Sequence, residues 1–234
     1  MTNSLRTHPH INSPPLKLQL RELLSGMYLQ DLMQWKSIPL PKTVNPKTVL
    51  IIPGFGCGDL TVLPLKTFLR SHGHHTYSWG LGVNHSRMEK LLDPLMSRIK
   101  DLCDKHGKPV TLIGWSLGGI FARELVRDQP KHISSILTMG SPVIVGPRAT
   151  ALKRLSKLFG WDPEQIERDM LKRFDRPIER PITAIYSKLD GIVSWQACID
   201  NWSPDVQHHE VSASHIGMSI SKEVYQVISH SMAH

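Results

Sequence analysis

GWSLGG, residues 114–119, encloses a serine between glycines, and its meaning is decided by what stands on either side. Upstream, PVTLIGW (109–115) is an uncharged run rich in β-branched and aliphatic residues, which predicts a buried strand. Downstream, GGIFARELVRDQP (118–130) repeats its apolar residues at helical spacing until Pro130 stops the helix. Ser116 therefore stands on a sharp strand-to-helix turn. Such a turn strains the serine backbone and leaves room only for glycine at 114 and 118, where neighbouring backbone passes close. It also exposes Oγ beside a helix N-terminus, where the N–H of Leu117 can meet an oxyanion forming on an attacked carbonyl.

The same alternation extends in both directions. TVLIIPGFG (48–56) reads as a strand breaking into a glycine loop, LTVLPLKTFLRSHG (60–73) as a helix ended by Gly73, and HTYSWGLG (75–82) as a second strand. HSRMEKLLDPLMSRIKDLCDKHG (85–107) is a long helix in which Pro94 marks either a kink or a second start. After the serine segment come the strand HISSILTMGSP (132–142), the strand PITAIYSKLDG (181–191), the strand VQHHEVSASHIG (206–217) and a terminal helix over 221–234. Strand alternating with helix predicts an α/β fold with a mainly parallel sheet of about six strands, covered by helices on both faces.

Two segments depart from the alternation. Residues 146–177 carry two predicted helices and no strand. Leu152, Leu155, Leu158 and Phe159 stripe the first; Ile166, Met170 and Phe174 stripe the second, which opens with Asp162 as N-cap, Pro163, and Gln165 at the capping-box position. With apolar faces that need covering, this insertion is expected to roof the crevice above Ser116 as a small lid, those faces either packing on each other or lining the crevice. The other segment is residues 1–47, a lead expected to be disordered over 1–15, an amphipathic helix over 16–35 and a proline-rich linker over 39–47. The leucines of that helix (Leu16, Leu20, Leu23, Leu24) are expected to pack on the body, with docking on a membrane surface as the alternative. Residues 48–234 form the main domain.

Parallel strands deliver their C-terminal ends to one sheet edge, so the partners of Ser116 are sought at the other strand ends. The loop at 53–59 opens on the same crevice, and Phe55 is the candidate second oxyanion donor; a glycine-rich turn before a helix capped by Gly58 or Asp59 is the plainer reading. With no following Lys-Ser/Thr and no dinucleotide spacing, the loop is not a phosphate cradle. Thirteen histidines make any one of them a weak choice by type alone. His72, His74 and His75 sit at a helix end and strand start, and His208 and His209 within a strand, but His215 follows the last strand and precedes Gly217. Asp190 likewise ends a strand before Gly191, whereas Asp175, Asp200 and Asp205 fall in the insertion or in connecting loops.

Composition narrows the functional classes. The 234 residues, 40% hydrophobic and 21% charged, suit one large core. Cys57, Cys103 and Cys198 form no CxxC pair and are odd in number, which argues against a disulfide framework and a zinc site. The net charge of +8 gathers in 1–47, with six basic against two acidic residues, and 147–180, with nine against six. No block of like charge or basic–aromatic interleaving points to nucleic acid. With neither a secretory h-region nor an apolar run of spanning length, a cytoplasmic chain is expected, peripheral membrane contact through the N-terminal helix being the alternative.

PGFG, GWSLGGIFAREL, SKLDGIVSW and SHIGM resemble segments of the α/β-hydrolases, in particular a bacterial esterase/lipase-like group similar to GPI-inositol deacylases and triacylglycerol lipases. The chain order Ser, Asp, His is also that of the superfamily. The resemblance covers residues 48–234 and implies Ser116 as nucleophile, His215 as general base and then acid, Asp190 as its orienter, and the Phe55 and Leu117 N–H groups as the oxyanion hole, with no cofactor or metal. Pro53-Gly54 stands where lipases usually show His-Gly. The implied function is carboxylic ester hydrolysis on a small ester or acyl lipid through an acyl-enzyme; an acyltransferase with the same residues, or a binding module on the hydrolase scaffold, are the alternatives.

Overall fold

The computed structural model describes residues 11–23, 38, 43–144, 146–155, 160, 162–173 and 176–233. Six strands, β1 (Thr48–Ile52), β2 (His75–Ser78), β3 (Val110–Trp115), β4 (Ile133–Met139), β5 (Ile182–Tyr186) and β6 (Val206–Glu210), form one sheet in the order β2-β1-β3-β4-β5-β6. Every neighbouring pair is parallel, as the alternating sequence pattern requires. The chain steps from β1 outward to β2 and then returns to the opposite side of β1 with β3. This reversal opens a crevice at the C-terminal ends of β1 and β3, where the loop at 53–58 and Ser116 lie.

Both faces of the sheet are covered. On one, Val49, Ile51 and Ile113 pack with Phe68 of α2 (Leu63–Ser71) and Tyr225 and Ile228 of α6 (Lys222–Ala233). On the other, Leu50, Ile52 and Leu112 pack with Leu95 and Ile99 of α3 (Met88–His106) and Phe121 and Leu125 of α4 (Leu117–Asp128). Burial on both faces explains why β1 and β3 are continuous apolar runs rather than alternating ones. The helix α3 runs unbroken through Pro94, so the proline marks no second start, and Gly107, at φ 65°, closes it.

The insertion follows β4, as its place in the sequence requires. Its first part is two short 3₁₀ segments, Gly146–Ala149 and Ala151–Leu155, rather than the helix expected there; a real helix, α5 (Pro163–Arg173), follows. Asp162 Oδ1 accepts the Glu164 and Gln165 N–H groups at 3.0 and 3.1 Å. Gln165 turns forward to Asp169 and Arg168 and closes no reciprocal capping box. Leu152 and Ile166 are half-buried, whereas Leu158, Phe159, Phe174 and the side chains of Leu155 and Met170 lie outside the described residues.

At the N-terminus two expectations are corrected. Residues 11–15 end the lead, yet they pack on the body: Ile11 is buried against Val143, Val193 and Ala197, and Asn12 O accepts the Ser194 hydroxyl. The helix α1 is described over Leu16–Leu23, the rest of 16–35 lying outside the described residues. Its leucines Leu16 and Leu20 are 59% and 54% exposed, and the side that docks carries Leu18 and the buried Glu22. The reason is polar: backbone N–H groups of the loops after β5 and β6 find their acceptor in Glu22.

Candidate active site

Ser116 joins β3 directly to α4, with φ 55° and ψ −120°. Apart from Ser86 it is the one described non-glycine residue at positive φ, a conformation that costs a serine energy and that the surrounding backbone must enforce. Its N–H donates to Met139 O at 2.8 Å, and its carbonyl accepts Gly119 N–H at 3.0 Å. Close packing explains the glycines. A Cβ on Gly118 would overlap Ile52 O, one on Gly114 would overlap the Gly118 backbone, and one on Gly119 would overlap Ser141 Oγ. The helix α4 is thereby pressed against β1 and β4, and Leu117 opens its first turn, where the N–H groups have no intrahelical acceptor.

The loop after β1 reaches the serine through Gly54, where a Cβ would come within 3.2 Å of Ser116 Cβ. Phe55 follows, half-buried. Asn84, fully buried, clamps this loop. Its Nδ2 donates to Pro53 O at 2.9 Å, its carbonyl accepts Gly56 N–H at 2.8 Å, and its N–H donates to Cys57 O at 2.9 Å. Gly58 packs on Gly82 O, which holds the loops 53–58 and 80–86 together. Burial raises the Cys57 thiol pKa, partly opposed by Thr61.

Asp190 and His215 are joined. His215 Nδ1 donates to Asp190 Oδ2 at 2.7 Å, and Asp190 Oδ1 accepts the Ile192 and Val193 N–H groups at 2.8 and 2.7 Å. The histidine is anchored by its backbone as well: Trp115 Nε1 donates to its carbonyl at 3.3 Å, and its N–H donates to Glu22 Oε1 at 2.6 Å. Burial alone lowers the His215 pKa, but the Asp190 charge and hydrogen bond, with the Glu22 charge, outweigh it and raise the value above the usual 6.5. With Nδ1–H committed to the carboxylate, Nε2 carries the lone pair. Gly140, at φ 55°, makes room for the pair: a Cβ there would stand 3.0 Å from both Asp190 Oδ2 and His215 Nδ1.

Ser116 and the Asp190–His215 pair lie at the same sheet edge, linked through Trp115, whose ring is 5.9 Å from the imidazole. No hydrogen bond joins Ser116 Oγ to the ring among the described residues. Several of the other candidates have structural partners, although His209 Nε2 is buried without a hydrogen-bond partner among the described residues. Asp200 is paired with Arg123 at 2.6 Å, His208 Nε2 accepts the Asp200 N–H at 3.0 Å, and His72 Nδ1 bonds Phe68 O at 2.8 Å. Sequence reading missed Asn84, Gly140 and Glu22. Only Asn84 had a signal, an asparagine just after a glycine-rich strand end; the other two act through contacts distant in sequence. No cluster of three or more His, Cys, Asp or Glu side chains suited to a metal ion occurs among the described residues. Nor is any described helix long and apolar enough to cross a membrane.

A sequence model described as "Alpha/beta hydrolase family" matches residues 49–217. Comparison with curated proteins returns no match. Among solved structures, the Bacillus licheniformis lipase BlEst2 in mature form superimposes with TM-score 0.64 at 11% identity, covering 83% of this chain and 95% of that one. The naproxen esterase of Bacillus subtilis gives 0.61 at 10%, covering 82% and 85%. A monoacylglycerol lipase of Paleococcus ferrophilus gives 0.57 at 15%, covering 80% and 96%. At these identities the likeness is one of fold.

Proposed function

This chain belongs to the alpha/beta hydrolase family, and from that premise we propose that it is a carboxylic ester hydrolase acting through Ser116, His215 and Asp190. In this reading His215 Nε2 takes the proton of Ser116 Oγ as the oxygen bonds to the ester carbonyl carbon. The carbonyl oxygen gains the negative charge and is met by the N–H groups of Leu117 and Phe55. Collapse of the adduct breaks the bond to the alkoxy group, which leaves with the proton held by His215. Water then repeats the sequence on the acyl-enzyme: it gives its proton to His215, attacks the acyl carbon and releases the acid while Ser116 Oγ recovers the proton. Asp190 holds the tautomer and stabilises the imidazolium. The observation that carries the reading is the strained Ser116 turn at φ 55°, on the sheet edge that also holds the 2.7 Å His215–Asp190 bond.

Acyl chains are the proposed substrate class, and the insertion at 146–177 the proposed lid. Its base is tied to the loop carrying Asp190 by Ala151 N–H to Ile192 O at 2.8 Å and Ser194 N–H to Ala149 O at 3.0 Å. The solved esterases and lipases of like fold favour the same class. A fluorophosphonate probe is expected to label the wild type and not Ser116→Ala; labelling that survives would overturn the assignment. On p-nitrophenyl esters from acetate to palmitate, kcat/KM is expected to rise about fourfold per methylene, which is ~0.8 kcal/mol, and then to plateau. A flat profile would remove the acyl-chain specificity and leave the nucleophile standing.

A further inference from the structure

The N-terminal helix reaches the candidate site from behind. Glu22 of α1 is 5% exposed, and its carboxylate accepts backbone N–H groups from two separate loops: Gly191 at 2.9 Å and His215 at 2.6 Å on Oε1, and Ile216 at 3.3 Å on Oε2. Gly191 adjoins Asp190, so one carboxylate bridges the loop after β5 to the turn after β6, the two segments whose side chains meet in the His215–Asp190 bond. The fit is close. A Cβ on Gly191 would overlap Leu18 O and come within 2.6 Å of Glu22 Cγ. Burying a carboxylate is expensive unless N–H donors converge on it, and here they do.

We propose that Glu22 is a positioning residue for the His215–Asp190 pair, fixing the two loops in register and holding a second negative charge beside the imidazole. The proposal builds on the hydrolase reading for its kinetic consequence, but the arrangement can be tested on His215 alone. Among the described residues the charged groups facing the ring are Asp190, from the loop after β5, and Glu22, from α1. The β3 neighbour is Trp115, the loop after β4 contributes Gly140, and the histidine's own turn contributes Met218; none of these titrates. Replacing the carboxylate by a neutral amide therefore lowers the His215 pKa, and the neutral base persists to lower pH.

The test uses the full chain. Glu22→Gln is expected to move the acidic limb of kcat/KM to lower pH and to lower kcat roughly 10- to 100-fold with KM nearly unchanged, the scale of one lost charge-assisted hydrogen bond. Glu22→Asp keeps the charge but not the reach, so its limb stays nearer the wild type while kcat still falls. NMR titration of the His215 Cε1–H, which needs no turnover, is expected to show the same downward shift in Glu22→Gln. If Ser116→Ala still takes the fluorophosphonate, the hydrolase reading fails and the NMR shift alone decides for or against Glu22. If Glu22→Gln does not fold, Gly191→Ala displaces α1 instead and is expected to give the same limb shift. A folded Glu22→Gln, or a Gly191→Ala enzyme in which residues 16–23 exchange amide hydrogens freely, with wild-type kcat, pH limb and His215 titration would overturn the proposal.

Discussion

A serine at φ 55° and a histidine whose pKa is raised are complementary devices. In the proposed reaction the first would present an oxygen at a helix N-terminus, and the second would supply a base to accept its proton, stabilised once it had done so. Because the proposed reaction needs a neutral His215, and the Asp190 and Glu22 charges outweigh burial and raise its pKa, the acidic limb of kcat/KM is expected to lie at higher pH than an ordinary imidazole would place it. Asp190→Asn removes the charge responsible for most of the rise. Its limb is expected to move to lower pH while kcat drops by about 10⁴-fold, the loss typical when the orienting carboxylate of such a triad becomes an amide. A pH–rate profile of both proteins checks the two effects together. An unshifted limb would show that Asp190 is not the group that charges the ring's surroundings.

Among the elements, the loop after β1 is the least self-sufficient. Its glycines leave it free to adopt many conformations, and Asn84 restricts it through bonds at both ends of the turn. Two of those bonds are made by the Asn84 backbone and survive mutation; the side-chain donor to Pro53 O does not. Asn84→Ala is expected to leave that buried carbonyl unpaired, costing about 1–3 kcal/mol of stability. Asn84→Asp sets an acceptor against an acceptor and is expected to be worse. If the loop carries the Phe55 donor, kcat falls in both while KM changes little; urea unfolding and steady-state kinetics measure the two consequences separately.

At the scale of the whole molecule, a buried ion pair fastens α4 to the connection between β5 and β6. Arg123 of α4 meets Asp200, beyond β5, at 2.6 Å, and the Trp202 and Ser203 N–H groups add bonds to the other carboxylate oxygen. Burial opposes ionisation of Asp200, but the Arg123 charge and these bonds carry its pKa from 3.8 down to about 2. A carboxyl with a depressed folded-state pKa contributes stability above its unfolded value, and the contribution is lost as pH falls through the folded one. Wild-type stability is therefore expected to drop by ~2–3 kcal/mol between about pH 4 and pH 2 through this group. Asp200→Asn, which strands a buried guanidinium, is expected to be less stable by roughly 3–5 kcal/mol at pH 7, with the gap narrowing across that acid window. Denaturation midpoints measured against pH for both proteins give the comparison.

Sequence alone determined what depends on local pattern. Apolar runs of strand length alternating with amphipathic helices specified six parallel strands under two helical layers, since only burial on both faces suits such runs. Glycines at 114 and 118 around Ser116 specified a turn, because close backbone approach excludes any Cβ. Asp190 and His215 could be selected by position, since parallel strands bring their loops to one edge. Tertiary structure decided what depends on contacts between distant segments. The N-terminal helix was readable only as an amphipathic stripe of leucines, yet Leu16 and Leu20 face outward and Glu22 faces inward. Helical periodicity cannot reveal that unpaired N–H groups 169 and 193 residues away supply a stronger docking requirement than a leucine stripe does.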